Sequence, residues 1–178
     1  VYKRQASLER AFEERHAPEN AAIELKTLRM ASNVPPGEVR KVAISFVLAR
    51  CSVDQAKDTA DLLDHWGPLL QEVAHDDQVE ALATMQSFCA ANVTHTKLFL
   101  PLLKKVYNDE IVADESILAW WRHASSRRIV LDVDDSRVTS VNQIVLELRK
   151  RAEPVVRHIL ESQESSDEDE EEEDDDDE

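Results

Sequence analysis

Glycine is nearly absent from this chain, with two in 178 residues, and proline is held to six. The two-residue turns of β-hairpins draw on glycine for left-handed backbone, so the composition argues against a fold built from β-hairpins. Aromatic residues are also sparse, at 5%. No apolar run reaches the roughly 18 residues of a membrane-spanning helix, and the opening residues do not read as a secretory signal. The two cysteines, Cys51 and Cys89, have neither CxxC spacing nor histidines at ligand spacing. They read as buried, reduced thiols of a cytosolic protein. A GxxxxGK[ST] loop and a GxGxxG turn are both missing, so nothing here is built to cradle a nucleotide phosphate.

The six histidines (His16, His65, His75, His95, His123 and His158) are scattered. No Ser/His/Asp or Cys/His grouping can be assembled from them. Asp132-x-Asp134-Asp135 has the residue types of a metal site, but a solvated loop or helix cap has them too. Neither a metal nor a cofactor is expected. These absences exclude an ordinary hydrolase or transferase and leave interaction as the function class.

What the chain does have is helical periodicity and a local excess of acid. Apolar residues make up 42% and recur mostly three and four apart, which predicts an all-α fold. Fourteen of the 37 carboxylates lie from Glu161 to Glu178, so the rest carries 23 acids against 21 bases. The acidity belongs to a tail, not to the body. Such a block repels itself and is expected to stay extended and solvated. The division expected is a helical domain over 1–162 and an acidic, disordered tail over 163–178. The first residue is Val1, as in a piece of a longer polypeptide.

About eight helices are expected. The first covers Ser7 to Arg15. The second runs from Pro18, which suits a first turn, to Ser32, with Asn33 as a left-handed terminator. The third follows Pro35-Pro36-Gly37, with Val39, Val42, Phe46 and Ala49 on one stripe. The fourth carries Leu62 to Val73, bent or interrupted at Gly67-Pro68. The fifth spans Asp76 to Ala91. The sixth spans Thr94 to Tyr107, with a kink or a delayed start at Pro101. The seventh covers Asp114 to His123, and the eighth Val138 to Ser162, with a break anticipated at Pro154. Ile129-Val130-Leu131-Asp132-Val133 looks strand-like, and is read as a loop packing on the bundle. Antiparallel pairs joined by short turns make a helical-hairpin stack, each hairpin near the roughly 40–47 residues of a HEAT repeat.

Three segments together resemble a known family. The first is Asn20-Ala-Ala-Ile-Glu24-Leu-Lys-Thr-Leu28-Arg29-Met-Ala-Ser-Asn33, followed by Glu38-Val39-Arg40. The second is Asp109-Glu110-Ile-Val-Ala-Asp114-Glu115-Ser-Ile-Leu-Ala-Trp120-Trp121, and the third is Val155-Val-Arg-His-Ile159-Leu-Glu161. They are similar to the C-terminal catalytic domains of the epsilon subunits of eukaryotic translation initiation factor 2B. The second and third segments look like that family's aromatic-and-acidic boxes, shared also with initiation factor 5. In the third, Ile159 stands where the family usually has Trp.

The resemblance implies a HEAT-like fold and guanine nucleotide exchange on initiation factor 2 in the cytoplasm, without covalent chemistry. It implies as partners the GTPase gamma subunit and the lysine-rich beta subunit of that factor, and the remaining subunits of the 2B complex. The alternative is a non-catalytic adaptor that only binds the lysine-rich segments. A generic α-solenoid with an acidic tail remains as a third reading.

On the second helix, Asn20, Glu24 and Leu28 are four apart and share a face. Leu28 is expected to pack while Glu24 projects to solvent, and the resemblance makes Glu24 the catalytic candidate. Asn20, Ile23, Leu28 and Arg29 are carried over beside it as partner contacts. A plain helix pattern would make Glu24 only a solvated residue.

Trp120 and Trp121 are about 100° apart on a helix, so one can be core and the other semi-exposed. With Glu110, Asp114 and Glu115 they are candidates for a lysine-rich ligand, through charge and cation–π contact. Glu161, Glu164, Asp167 and Glu168 extend that acidic set. Ser165 and Ser166 have carboxylates three residues on, as acidophilic kinases prefer, and are candidate phosphorylation sites readable by mass spectrometry of the native protein. Arg122, Arg127, Arg128 and Arg149-Lys150-Arg151 lack a basic arm or interleaved aromatics. They are expected to pair with carboxylates or to lie on solvated faces, and no nucleic acid or membrane partner is expected.

Overall fold

The computed structural model of the chain describes residues 2–14, 16–123, 127 and 134–171. Among them are eight α-helices: α1 (Tyr2–Glu13), α2 (Pro18–Ser32), α3 (Pro36–Leu48), α4 (Ala56–Ala74), α5 (Gln78–Ala91), α6 (Phe99–Asn108), α7 (Asp114–Arg122) and α8 (Val138–Glu171). Two 3-10 turns, over Val93–His95 and Asp135–Arg137, precede α6 and α8. The strand-like Ile129–Val133 segment lies outside the described residues.

Local chemistry sets most boundaries. Pro18 opens α2, where its missing N–H has no helical partner to lose. Asn33 closes it in the left-handed region, at φ 48° and ψ 45°. Asp77 caps α5, its Oδ1 accepting from the Glu80 amide at 2.9 Å. The start of α6 is delayed to Phe99, which puts Pro101 in the first turn.

Four expectations need correction. α1 begins at Tyr2 instead of Ser7, because Arg4, Ser7, Leu8 and Ala11 form one buried face that extends the helix backwards. Pro68 does not interrupt α4. A helix-interior proline costs about 3 kcal/mol, but Trp66, Leu69 and Leu70 are buried around it, at about 1.5–3 kcal/mol each. Pro154 likewise leaves α8 unbroken, since Ala152, Val155, Val156 and Ile159 bury on both sides of it. Finally, α8 does not end near Ser162 but continues to Glu171, so the acidic segment is helical through 171. No breaker occurs over that stretch, and each residue added to an existing helix gains one hydrogen bond without a new nucleus.

The helices form two layers. The odd-numbered helices pack in succession, α1 on α3, α3 on α5 and α5 on α7, while α2 packs on α4 and α6 on α8. Each odd helix also meets the next even one. This is the HEAT-like stack of hairpins. α5 is its axle: every residue from Ala81 to Ala90 is buried, and α3, α4, α6, α7 and α8 all lie against it. The apolar core is one cluster from Leu8 in α1 to Ile159 in α8. Cys51 and Cys89 are free thiols within it. Burial pushes them up to about 11 and about 12, with Cys51 adding to the shift at Cys89. At neutral pH they are packing groups, not nucleophiles.

Candidate functional site

Two polar regions stand at different places in the stack. The first is the outer face of α2. Pro18, Ala21, Ala22 and Leu25 bury its inner side, which turns Asn20 and Ile23 outward; Ile23 is 63% exposed. Leu28 and Arg29 are half-buried at its edges. Glu24 does not simply project to solvent, as expected from its spacing. Its Oε1 is ion-paired with the Arg10 guanidinium on α1, and its side chain is 33% exposed. Met30, 71% exposed, extends the same outer face. Sequence reasoning passed over it, although it lies seven residues beyond Ile23, two helical turns along.

Arg29 opens onto a groove of about 350 Å³ between α2, α3 and α4. Arg40 lies beneath that groove with its charge already used. Its Nε donates to the Val73 carbonyl at 3.0 Å, and its guanidinium is paired with Glu80. Lys26 spans toward Glu72 on α4 at 3.5 Å.

The second region is the turn between α6 and α7. The amide of Glu110 donates to Tyr107 O at 3.1 Å and that of Ile111 to Val106 O at 3.0 Å. This pair of bonds closes a helix with a left-handed residue, usually glycine. Here the residue is Glu110, at φ 54°. The conformation carries strain that buried Ile111 and Val112 hold in place. Strained non-glycine backbone concentrates where a side chain has work to do. We therefore predict that Glu110→Gly raises the melting temperature by about 2–4 °C, from about 1 kcal/mol of relieved strain, while weakening binding of a lysine-rich peptide. A thermal melt and a binding titration on the same variant check both halves.

Beside this turn, Lys105 is held between Asp64 and Asp109, with Nζ 2.8 Å from Asp109 Oδ2. The hydrogen bond to Asp109, then that to Asp64, raises its pKa. Asp114 and Glu115 follow in the first turn of α7, where the helix dipole favours acids.

Three contacts fix how the last helices run. The Ala113 amide, at the start of α7, donates to Gln78 Oε1 at the start of α5 at 2.9 Å. Arg149 of α8 reaches the carbonyls of Trp120 and Trp121 near the end of α7, and Gln86 in α5 at 3.4 Å. Arg137 donates to Ala91 O at the end of α5 at 3.0 Å. So α7 runs with α5, and α8 runs against both. The C-terminal half of α8 therefore heads for the end of the stack that holds the Asp109–Glu115 turn. From Glu161, just past buried Ile159, to Glu171 it adds about 15 Å of acid-bearing helix there.

Trp120 must be taken out of the partner-contact set. It is fully buried, its ring centroid 5.9 Å from that of Phe99 and 6.0 Å from that of Trp121. Trp121 is half-buried, with the Arg149 guanidinium 5.0 Å from its ring centre. Ile159 is fully buried and fills its place in the apolar stripe of α8 without an aromatic ring. Glu161 is exposed; Glu164, Ser165, Ser166, Asp167 and Glu168 lie along α8. Arg149 was expected on a solvated face or against a carboxylate. Instead it is buried, donating to carbonyls and stacked 4.4 Å from the centre of the Trp120 ring. Among the described residues, no group of His, Cys, Asp and Glu has the arrangement of a metal site, and no helix is long and apolar enough to cross a membrane.

Residues 77–178 match the family W2, described as eIF4-gamma/eIF5/eIF2-epsilon. Over 122 residues, 66% of the chain, the sequence is 39% identical to translation initiation factor eIF2B subunit epsilon of Schizosaccharomyces pombe, covering 18% of that protein. Over 112 residues, 59% of the chain, it is 23% identical to protein krasavietz of Drosophila melanogaster, covering 26% of it. The chain thus spans about a fifth to a quarter of the length of these curated relatives. The W2 match takes in α5 to α8 and the acidic end. The α2 face lies outside it.

Proposed function

This chain belongs to the W2 family of eIF4-gamma, eIF5 and eIF2-epsilon proteins, and from that membership we propose that it promotes GDP release from eukaryotic initiation factor 2. The reading takes support from the 39% identity to a subunit named for eIF2B epsilon. The geometric observation that carries it is the outer face of α2, where a part-exposed carboxylate, Glu24, stands beside exposed Ile23. An exchange factor must bind the nucleotide-free GTPase better than the GDP-bound one, since only differential affinity shifts an equilibrium. An apolar contact supplies affinity for the GTPase. A carboxylate then competes for the cation that holds the phosphates, by taking over a phosphate-binding lysine or by disfavouring Mg²⁺.

The acidic end performs a different task in this proposal. Glu110, Asp114, Glu115 and Glu161, with half-buried Trp121, attract a lysine-rich segment of the same factor, and charge speeds the encounter. The setting is the cytoplasm, with the other subunits of the 2B complex as neighbours of the parent protein. Labelled GDP bound to initiation factor 2 provides the test. Micromolar chain is expected to accelerate its release on the order of tenfold, which corresponds to about 1.4 kcal/mol of barrier. No acceleration removes the proposal.

A second reading, a non-catalytic adaptor for lysine-rich segments, has one observation in its favour. The acidic turn and Trp121 lie inside the W2 match, whereas Glu24 lies outside it. Binding without acceleration in the same assay selects that reading.

A further inference from the structure

We infer that Arg10 positions the Glu24 carboxylate for the exchange partner, an inference that rests on the reading of Glu24 given above. The pair joins two helices across 14 residues of sequence, so it reports how α1 and α2 are docked. Both backbones are well anchored: Leu8 and Ala11 bury one face of α1, and Ala21, Ala22 and Leu25 bury one face of α2. The two charged ends nevertheless sit at the surface, at 54% and 33% exposed. An exposed pair of this kind contributes little to stability. What it does supply is direction, because the planar guanidinium fork restricts where a carboxylate can point.

Among the described residues, no other cation is placed to do this. Lys26 is drawn across to Glu72, and Arg29 is five residues from Glu24, about 140° around the helix. Two carboxylates near Arg10 in sequence are otherwise engaged. Glu9 accepts from Gln5 at 3.5 Å and also faces Arg50, while Glu14 pairs with His16 at 2.8 Å. Glu24 would otherwise sample several rotamers, and only part of that population would be aimed at an incoming cation. A bound partner then meets a carboxylate already in place, which acts on the maximal rate of release more than on the first encounter.

The test measures GDP release against concentration for the whole 178-residue chain and for Arg10→Ala, Arg10→Lys, Glu24→Ala and the reversed pair Arg10→Glu with Glu24→Arg. Arg10→Ala should lower the maximal rate about 3–10-fold, on the order of one rotamer well out of several. The half-saturating concentration should stay within about twofold and the melting temperature within about 3 °C, as fits an exposed pair. Arg10→Lys should recover part of the loss. The reversed pair restores the attraction but not the carboxylate, and should stay as slow as Glu24→Ala. An unchanged or raised maximal rate in Arg10→Ala, with Glu24→Ala inactive, overturns the inference and leaves the role of Glu24 standing. Full activity in Glu24→Ala overturns the role of Glu24 itself.

Discussion

Replacing Glu24 with alanine is expected to remove most of the roughly tenfold acceleration of GDP release from initiation factor 2 and to leave the melting temperature within about 4 °C. The two halves have separate causes. Glu24 contributes nothing to the core: the buried side of α2 is formed by Pro18, Ala21, Ala22 and Leu25. Its ion pair to Arg10 is partly exposed and is worth about 0–1 kcal/mol. In a chain of this size that is about 0–4 °C in melting temperature. The loss of exchange has a larger scale because it acts on the difference between two bound states of the GTPase. Glu24→Gln refines the result. It keeps the shape and a hydrogen-bond acceptor but not the charge, so a carboxylate that competes for a cation predicts a loss close to that of alanine. Full activity in either variant, measured at saturating concentration, assigns the activity elsewhere on the chain.

Replacing Arg149 with methionine is expected to do the reverse, costing about 3–5 kcal/mol of stability and on the order of 10 °C in melting temperature. Arg149 is 4% exposed, and its guanidinium donates to the carbonyls of Trp120 and Trp121. Those carbonyls belong to the last turn of α7, where a side-chain donor can cap the helix end. Removing the donor takes away these charge-assisted hydrogen bonds, worth about 1.5–3 kcal/mol each. The same guanidinium stacks on both indole rings, 4.4 and 5.0 Å from their centres, a contact worth about 2 kcal/mol when dry. Burial lowers the pKa of Arg149 to about 10, with the charge of Arg127 adding to the shift. It therefore remains a cation at neutral pH. Arg149→Lys keeps the charge and the stem but not the fork, and should fall between. A melting temperature unchanged in Arg149→Met removes this account of how α7 and α8 are joined.

The contrast between these two arginine and glutamate positions shows where sequence reasoning reaches and where it stops. The helices were legible wherever a residue has a backbone role of its own. Pro18 opens a helix and Asn33 ends one in left-handed conformation, and each was readable alone. Pro68 and Pro154 were not, because the cost of an interior proline is local while its compensation comes from neighbours on the same helix that bury against other helices. The two tryptophans were separable in principle, being on different sides of α7. Which of them faces α5 and α8 depends on how three helices dock, and spacing within one helix carries no such information.

Arg149 was opaque for the same reason. In a run of Arg-Lys-Arg it looks solvated, and only the tertiary packing shows that the first of the three turns inward. At the α2 face, the pattern placed Asn20, Glu24 and Leu28 together but gave no sign of Arg10. Its partner lies on another helix, 14 residues away.

The opposed runs of α7 and α8 have one more consequence. They put the acidic end at the last hairpin, while Glu24 belongs to the first. Three hairpin-to-hairpin steps separate the two, about 24–30 Å at 8–10 Å each. Under the proposed function, a lysine-rich segment held at the acidic end acts as a tether for the rest of its own protein. The local concentration of the GTPase at α2 is set by the length of chain between that segment and the GTPase. A connection too short to span the gap gives none, and one far longer than the gap dilutes the gain. The spacing of the two patches is thus a ruler laid against the partner, and shortening the partner's linker should abolish assistance without touching a single residue of either patch.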